Sequence, residues 1–477
     1  MNKIDRFSLT EEQLRALVAE GLREGGDWCD LYFEDTTYND LLLRDGEVGS
    51  GGYHVDFGCG IRVLKGDKTG YAYRESTDFT SLLTAARAAA SIASASSTGN
   101  FPSSALNNPK RNICAAEGIN FYPVRDDWNK ASAAMFLPFL KRIESEIRSR
   151  DSRVVKVIAA LSWSESNVMM YNSLGELTFD CRPLGSISVQ TIFQQGGRTE
   201  NNSVSRSLRS GFEMINEDVL QDIVNRTVKG MDARFEAKRP KGGQMPVVMA
   251  AGASGILLHE AMGHAFEADF NRKGQSVFSD RMGKKICPAG INIVDDGTLT
   301  GKRGSCNYDD EGVRGQKTYM VTDGVLTSYL HDRISAAYFN VAPTGNGRRE
   351  SFRYNPIPRM RSTYMENGSD GSLQDLIGSV RKGIFVDQFA NGQVKIGEGD
   401  FTFYVKSGFL IENGHLTMPV KDINVIGNGP DALADIEAVA NDLIIDEGTW
   451  TCGKEQSVAV SCGIPSVLIK SLTVGGE

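Results

Sequence analysis

Two stretches of this chain can join neither a helix nor a strand, and they divide everything else. Residues 94–111 read SASSTGNFPSSALNNPKR, without apolar period and rich in Ser, Asn and Pro. Such composition favours turns and solvated backbone over a packed element. Residues 237–243, Ala-Lys-Arg-Pro-Lys-Gly-Gly, form a second break of the same kind. The 477 residues therefore divide into an amino-terminal domain over 1–95, a middle domain over 112–232 and a carboxy-terminal domain over 244–477. Each is long enough for a core of its own.

The patterns inside these segments differ. The first opens with a helix over 8–23, capped by Ser8 or Thr10, with Leu14, Leu17, Val18 and Leu22 as its apolar stripe. Short alternating runs follow from Cys29 to Tyr73, cut at Asp45-Gly46, Gly51-Gly52 and Gly66-Asp67, and an Ala-rich helix ends the segment over 78–94. The middle segment has the same order: a helix over 126–149 containing Pro138, strands through 153–194, and a helix over 214–229. Its residues are too dissimilar from the first segment to establish a repeat. The third is strand-like, broken by Gly and Asn turns, with one prominent helix over 254–268. The class expected is α+β. Helices with a mixed or antiparallel sheet form an α/β amino-terminal half, and a β-rich carboxy-terminal domain carries the metal-binding helix.

Composition excludes several functions. Lys and Arg number 52 against 60 Asp and Glu, giving a net charge of −8, a poor basis for neutralising nucleic-acid phosphates. The longest apolar-looking run, Met245 to Leu258, is only 14 residues, too short to cross a bilayer. Residues 1–22 carry Lys3, Arg6, Glu11, Glu12 and Arg15 and offer no secretory apolar core. The eight cysteines are scattered and form no C-x-x-C pair. These features predict reduced thiols in a cytoplasmic protein without nucleic-acid or membrane partners.

The chemistry is concentrated in one short stretch. Of five histidines, two stand in His259-Glu-Ala-Met-Gly-His264, and a second His at a given offset is about a one-in-100 event here. Zinc helices usually space their imidazoles by four residues, about 40° apart around the axis; an offset of five puts them ~140° apart on a regular α-helix. A π-bulge, with hydrogen bonds closing at i→i+5, returns both rings to one face, and Gly263 is placed where the helix can loosen. Glu260 has the character of a general base for a metal-activated water. A third ligand is still required. Cys452, Cys462, Glu267, Asp269, His331 and His415 are candidates, and Glu267, three residues past His264, is the one local spacing nominates.

The stretch Leu258 to Gly274 resembles the H-E-x-x-x-H signature of the TldD/PmbA family of metallopeptidases. Asn307-Tyr-Asp-Asp-Glu-Gly312, Thr344-Gly-Asn-Gly-Arg-Arg-Glu350, Pro419-Val420, Ile426-Gly-Asn-Gly429 and Cys452-Gly-Lys454 resemble its later motifs. Gly60-Ile-Arg-Val and Lys68-Thr-Gly-Tyr-Ala-Tyr73 resemble its amino-terminal domain. The resemblance spans nearly the whole chain and keeps the motif order. It is to the TldD kind, since the PmbA (TldE) kind lacks the signature. It implies Zn2+ held by His259, His264 and Cys452, with Glu260 as general base. It further implies a peptidase for short or unstructured polypeptides, such as peptide-antibiotic leaders and a labile antitoxin, working as a dimer with a PmbA/TldE-like paralogue or with itself. The older family label, modulator of DNA gyrase, implies no DNA site. A thiolate ligand would temper the Lewis acidity of the metal and favour a slow enzyme. The alternative is a non-catalytic, metal-stabilised binding or regulatory subunit; Glu260 favours the enzyme.

Other signals are weaker. Gly60 to Thr69 has some of the letters of a phosphate-binding loop, but Asp67 interrupts it and a strand follows where a helix is required, so a hairpin is expected. Arg348, Arg349, Arg353, Arg359 and Arg361 form a basic run whose first expectation is solvated or structural pairing, with capture of a peptide carboxylate second. Cys462, apolar-flanked, is expected to be a core thiol. His331 and His415 are expected at the surface or behind the ligands.

Overall fold

The computed structural model describes residues 3–95, 120–395 and 397–475, so most of the Ser/Asn/Pro stretch lies outside the described residues. Helix α1 (Glu11–Leu22) is capped by Thr10, not Ser8. The Thr10 hydroxyl accepts from the Gln13 N–H while the Gln13 side chain accepts from the Thr10 N–H, closing both open donors. Strands β1 (Trp28–Arg44), β2 (Glu47–Lys65) and β3 (Lys68–Arg74) lead to α2 (Phe79–Ser94). The β2–β3 turn at Gly66-Asp67 makes the expected hairpin, with Lys65 opposite Lys68. The same order returns as α3 (Ala133–Arg150), β4 (Val154–Asn172), β5 (Leu177–Gln195), β6 (Arg198–Leu208) and α4 (Glu217–Val228). Helix α3 starts later than its sequence suggests, because Trp128–Lys130 forms a separate 3₁₀ turn.

All six strands form one antiparallel sheet in the order β3-β2-β1-β4-β5-β6. Its centre is the β1–β4 pairing, from Asp30 opposite Asn172 to Arg44 opposite Ile158. The two helix–strand units therefore run outward in opposite senses, a repeat visible in topology where the residues conceal it.

Period-two alternation in β1 explains how the rest attaches. Cys29, Leu31 and Phe33 enter the core beneath α1 and α2, and Leu41 and Leu43 enter the core beneath α3 and α4. The intervening Trp28, Asp30, Tyr32 and Glu34 are buried too, but on the opposite face, under the carboxy-terminal part. There Arg62 donates to Asp30 at 2.8 Å and to Glu311 at 2.6 Å, and Glu34 accepts the Phe352 N–H at 2.8 Å. Buried charges survive only when paired in this way.

The carboxy-terminal part holds two larger sheets. In one, β7 (Gly243–Met249) lies between Lys382–Val394 and Val467–Gly475; Ile423–Asn428 and Asp400–Glu412 continue the ring, and Asp400–Glu412 pairs back to Lys382–Val394. This closes a small five-stranded barrel, with His415–Val420 added to Asp400–Glu412 as an edge strand. A six-stranded sheet containing Ile293–Asp296, Ser362–Met365 and Ser461–Ile464 lies beside it. The helical segment after β7 packs into their shared core, where Leu257, Leu258, Met262 and Phe266 meet Val247, Phe403, Val425 and Cys452. The fold is α+β.

Burial pushes the Glu34 carboxyl up to about 7, although the Thr36 hydroxyl and Phe352 N–H oppose the shift. The folded chain thus keeps a proton that the unfolded chain releases near 4.5. This contribution to stability is complete below pH 4.5 and is lost as pH rises to about 7. Glu34→Gln should gain stability relative to the parent across that window, measured by denaturant unfolding. A difference that does not change with pH would assign the loss to other groups.

Candidate metal centre

The segment after β7 changes helix type three times. Gly255–Leu258 is α-helical, His259–Gly263 is a π-turn and His264–Phe266 is 3₁₀. Glu267 then turns extended, and a short helix runs over Ala268–Arg272. The single helix expected over 254–268 is thus broken. At the break, the His264 N–H donates to the carbonyl of His259, five residues back. That wider turn rotates the two imidazoles onto one side, with ring centroids 5.2 Å apart and planes at 81°. Two glycines make the packing possible. A Cβ on Gly255 would stand 2.7 Å from the Gly463 nitrogen, and one on Gly263 would stand 2.2 Å from the Met360 sulfur.

The third donor comes from far along the chain. Cys452 lies on Thr451–Lys454, which pairs with Gln456–Ala459 through a turn at Glu455, whose φ is 56°. Its sulfur is 3.3 Å from His264 Nε2, and one donor atom each from His259, His264 and Cys452 lie within 4.8 Å of one another. All three residues are buried. Tetrahedral zinc holds such donors ~3.5 Å apart. Both ring nitrogens of His259 are buried without a hydrogen-bond partner, a costly arrangement unless something else engages them. The arrangement fits a borderline-soft divalent metal with one open position.

The surrounding residues orient the donors. His264 Nδ1 is 2.9 Å from Glu267 Oε2, which leaves Nε2 directed at Cys452. Lys454 Nζ donates to Glu267 at 3.1 Å, Asp269 at 2.8 Å and the Pro358 carbonyl at 3.1 Å. Burial would raise the Glu267 carboxyl, but Lys454, His264 and Arg359 hold it at about 2. Burial would likewise raise the Cys452 thiol, but His259 and His264 hold it at about 4. Burial disfavours charge on His264 as well, yet Glu267 and Cys452 raise it to about 10. Without metal, His264 and Cys452 therefore carry opposite charges, and a cation would take the place of the proton.

The candidates separate cleanly in space. Glu267 is the partner of His264 rather than a fellow of the donor cluster, and Asp269 pairs with Lys454. Cys462 is a buried thiol on Ser461–Ile464, raised by burial and by Asp446 and Glu260 nearby. Glu260 is half-buried beside it. His415 is exposed at a strand start. His331 is not at the surface: it is buried between Tyr329 and Phe339, where burial lowers it to about 4. Sequence reasoning gave no role to Lys454 or Arg359. Arg359 is fully buried and donates to the carbonyls of Cys452 at 2.6 Å and Gln456 at 2.7 Å, holding the hairpin in place. It stood in the noted arginine run, but spacing alone could not couple it to a segment 93 residues later.

The chain also matches known proteins along nearly its whole length. Residues 242–476 match the PmbA/TldA metallopeptidase C-terminal domain, residues 29–93 domain 1 and residues 126–231 the central domain. A metalloprotease TldD homolog from Haemophilus influenzae is 37% identical over 456 residues, covering 94% of this chain and 93% of the relative. A zinc metalloprotease TldD homolog from Saccharolobus solfataricus is 33% identical over 293 residues, covering 61% of this chain and 65% of the relative. Among solved structures, TldE from Thermococcus kodakarensis superposes with a TM-score of 0.74 at 19% identity, covering 97% of this chain and all of that one. That likeness concerns the fold. The whole-length match, its three matched domains in order and the relatives' identity together place this chain in the PmbA/TldD metallopeptidase family.

Proposed function

We propose that the chain is a zinc-dependent peptidase acting on short or unstructured polypeptides, with His259, His264 and Cys452 as ligands and Glu260 as general base. The observation that carries this reading is the cluster of three buried donors, with Glu260 next to His259 in sequence and not among them. A structural zinc would call for a fourth protein ligand and no base. Bound there, zinc supplies Lewis acidity toward a peptide carbonyl and acidifies a water molecule. Glu260 would be the group that takes a proton from attacking water and returns one to the leaving amine. Glu267 and Lys454 fix the His264 ring, and Arg359 fixes the backbone of Cys452. The segment that feeds the signature helix, residues 250–253, lines a cavity of about 840 Å³ facing β6 and α4, large enough for a short peptide. The active form proposed is a cytoplasmic dimer, with a TldE-like paralogue or a second copy.

The chain should bind about one zinc, because among the described residues one such donor cluster exists. Elemental analysis after zinc addition and desalting measures this. Cys452→Ser should weaken zinc by orders of magnitude, since a hydroxyl replaces a thiolate, whereas Glu267→Gln should cost about 10- to 100-fold through the ring it orients. Equal losses would place Glu267 among the ligands.

Glu260→Gln should retain fold and zinc while hydrolysis of an unstructured peptide falls about 10²- to 10⁴-fold. Wild-type turnover in this variant would remove Glu260 as the base.

Gly263→Ala probes the π-turn. Its methyl group meets the fully buried Met360 side chain, whose backbone N–H also donates to Glu267 at 3.3 Å. Overpacking of this kind costs about 1–3 kcal/mol, read by denaturant unfolding, and zinc affinity should fall with it. Unchanged stability and affinity would show that the turn tolerates the side chain.

A further inference from the structure

A second polar cavity lies across the Cys452 hairpin from the donor cluster. It has a volume of about 190 Å³ and is bounded by Ser457, Val458 and Ala459 of the hairpin, by Tyr38 and Ser164 of β1 and β4, and by several arginines. Inward-facing Cys452 and Val458 alternate with outward-facing Ser457, so the hairpin separates the two sites.

Three of the lining arginines make no direct ion pair, and Asp310 of the lining acts on Arg348 and Arg361 only from beyond pairing distance. Arg348 donates to the carbonyls of Met360 and Ala459, Arg361 Nε to the carbonyl of Gly345, and Arg209 to the carbonyls of Arg303 and Pro183. Among the described residues no carboxylate oxygen lies within 4.0 Å of these guanidinium nitrogens. Arg348 and Arg361 are buried, and Arg209 is half-buried where it opens on the cavity. The carboxylates in the lining are committed elsewhere. Asp310 pairs with Arg182 and accepts the Arg349 N–H, Glu34 accepts from Thr36 and Phe352, and Glu350 accepts the Ser457 N–H. Burial, and after it Arg361, draws Arg348 well below the usual arginine range although Asp310 opposes the shift; burial lowers Arg209, with the Arg182 and Arg361 charges adding to it and Tyr122 and Asp180 opposing. Five arginines line the cavity against Asp310, Glu34 and Glu350, so positive charge is in excess there, and buried charge is unfavourable unless it is balanced. An anionic ligand would balance it.

We propose that this cavity is an oxyanion-binding site in which Arg209, Arg348 and Arg361 provide the charge. Its size admits one carboxylate- or phosphate-sized group with water, and guanidinium forks suit both. Because Arg348 also holds the Ala459 carbonyl, the bound anion braces the hairpin that carries Cys452. The ligand is either a free oxyanion or the terminal carboxylate of a peptide, and the two are separable by experiment.

Calorimetric titration of the full chain with inorganic phosphate, against chloride at matched ionic strength, should give saturable binding. A parallel titration uses acetyl-Ala-Ala with a free carboxyl and the same dipeptide as its amide. Binding of the acid but not of the amide, displaced by phosphate, assigns the site to a peptide terminus; binding of phosphate alone assigns it to a free oxyanion. Arg209→Gln should weaken the binding about tenfold or more. Ser164→Asp supplies a carboxylate from within, so it should abolish phosphate binding and raise the melting temperature in phosphate-free buffer. This variant decides the matter if Arg209→Gln fails to fold. Absence of saturable binding by the wild type overturns the proposal. So does binding that persists unchanged in a folded Arg209→Gln or Ser164→Asp variant.

Discussion

The amide of His264 donates to the carbonyl of His259, five residues back, and the rest of the centre follows from that bond. One residue fewer in the turn would leave the imidazoles on different sides, as the angular arithmetic of a regular helix requires. One residue more closes them to 5.2 Å. The wide turn also ends the helix early, so Glu267 becomes extended and its carboxylate reaches the ring of His264. Gly263 is the residue that lets this happen against Met360.

Charge is the second condition on the centre. The centre is assembled from groups that burial alone would neutralise: the Cys452 thiol, the Glu267 carboxyl, the Lys454 ammonium and the His264 imidazole. They remain charged because each faces an opposite charge, Lys454 against Glu267 and Asp269, and Cys452 against His264. Arg359 adds its charge 3.8 Å from Glu267 while its nitrogens bind hairpin carbonyls. Removing one member leaves another buried and unpaired, which is the expensive case. The same logic, applied where a partner is missing, singles out the arginine-lined cavity behind the hairpin.

Much of this was legible in the residues, and the boundary is physical. Local periodicity revealed the helices at either end of both amino-terminal units, the β2–β3 hairpin, and the need for a π-turn between His259 and His264. It could not show that β1 and β4 join two units into one sheet, since pairing register is a contact between distant segments. Nor could spacing choose a third donor. Glu267 was nearest in sequence, and the structure gives it to His264 Nδ1; Cys452 stood among six candidates, and family resemblance alone singled it out. Long-range carbonyl contacts, such as those of Arg359, leave no periodic trace. His331, expected at the surface or behind the ligands, is buried beside aromatic rings that the sequence did not bring together.

The hairpin carrying Cys452 follows His264 by 188 residues, and the strand Val467–Gly475 that closes the barrel comes later still. On a chain emerging from the ribosome, the histidine pair therefore appears while its sulfur partner is still unsynthesised. The barrel wall around the pair is also incomplete at that stage. Until Cys452 is made, the three donors cannot meet. Metal loading therefore waits on a residue far along the chain, and a product truncated before it would hold the signature without the centre.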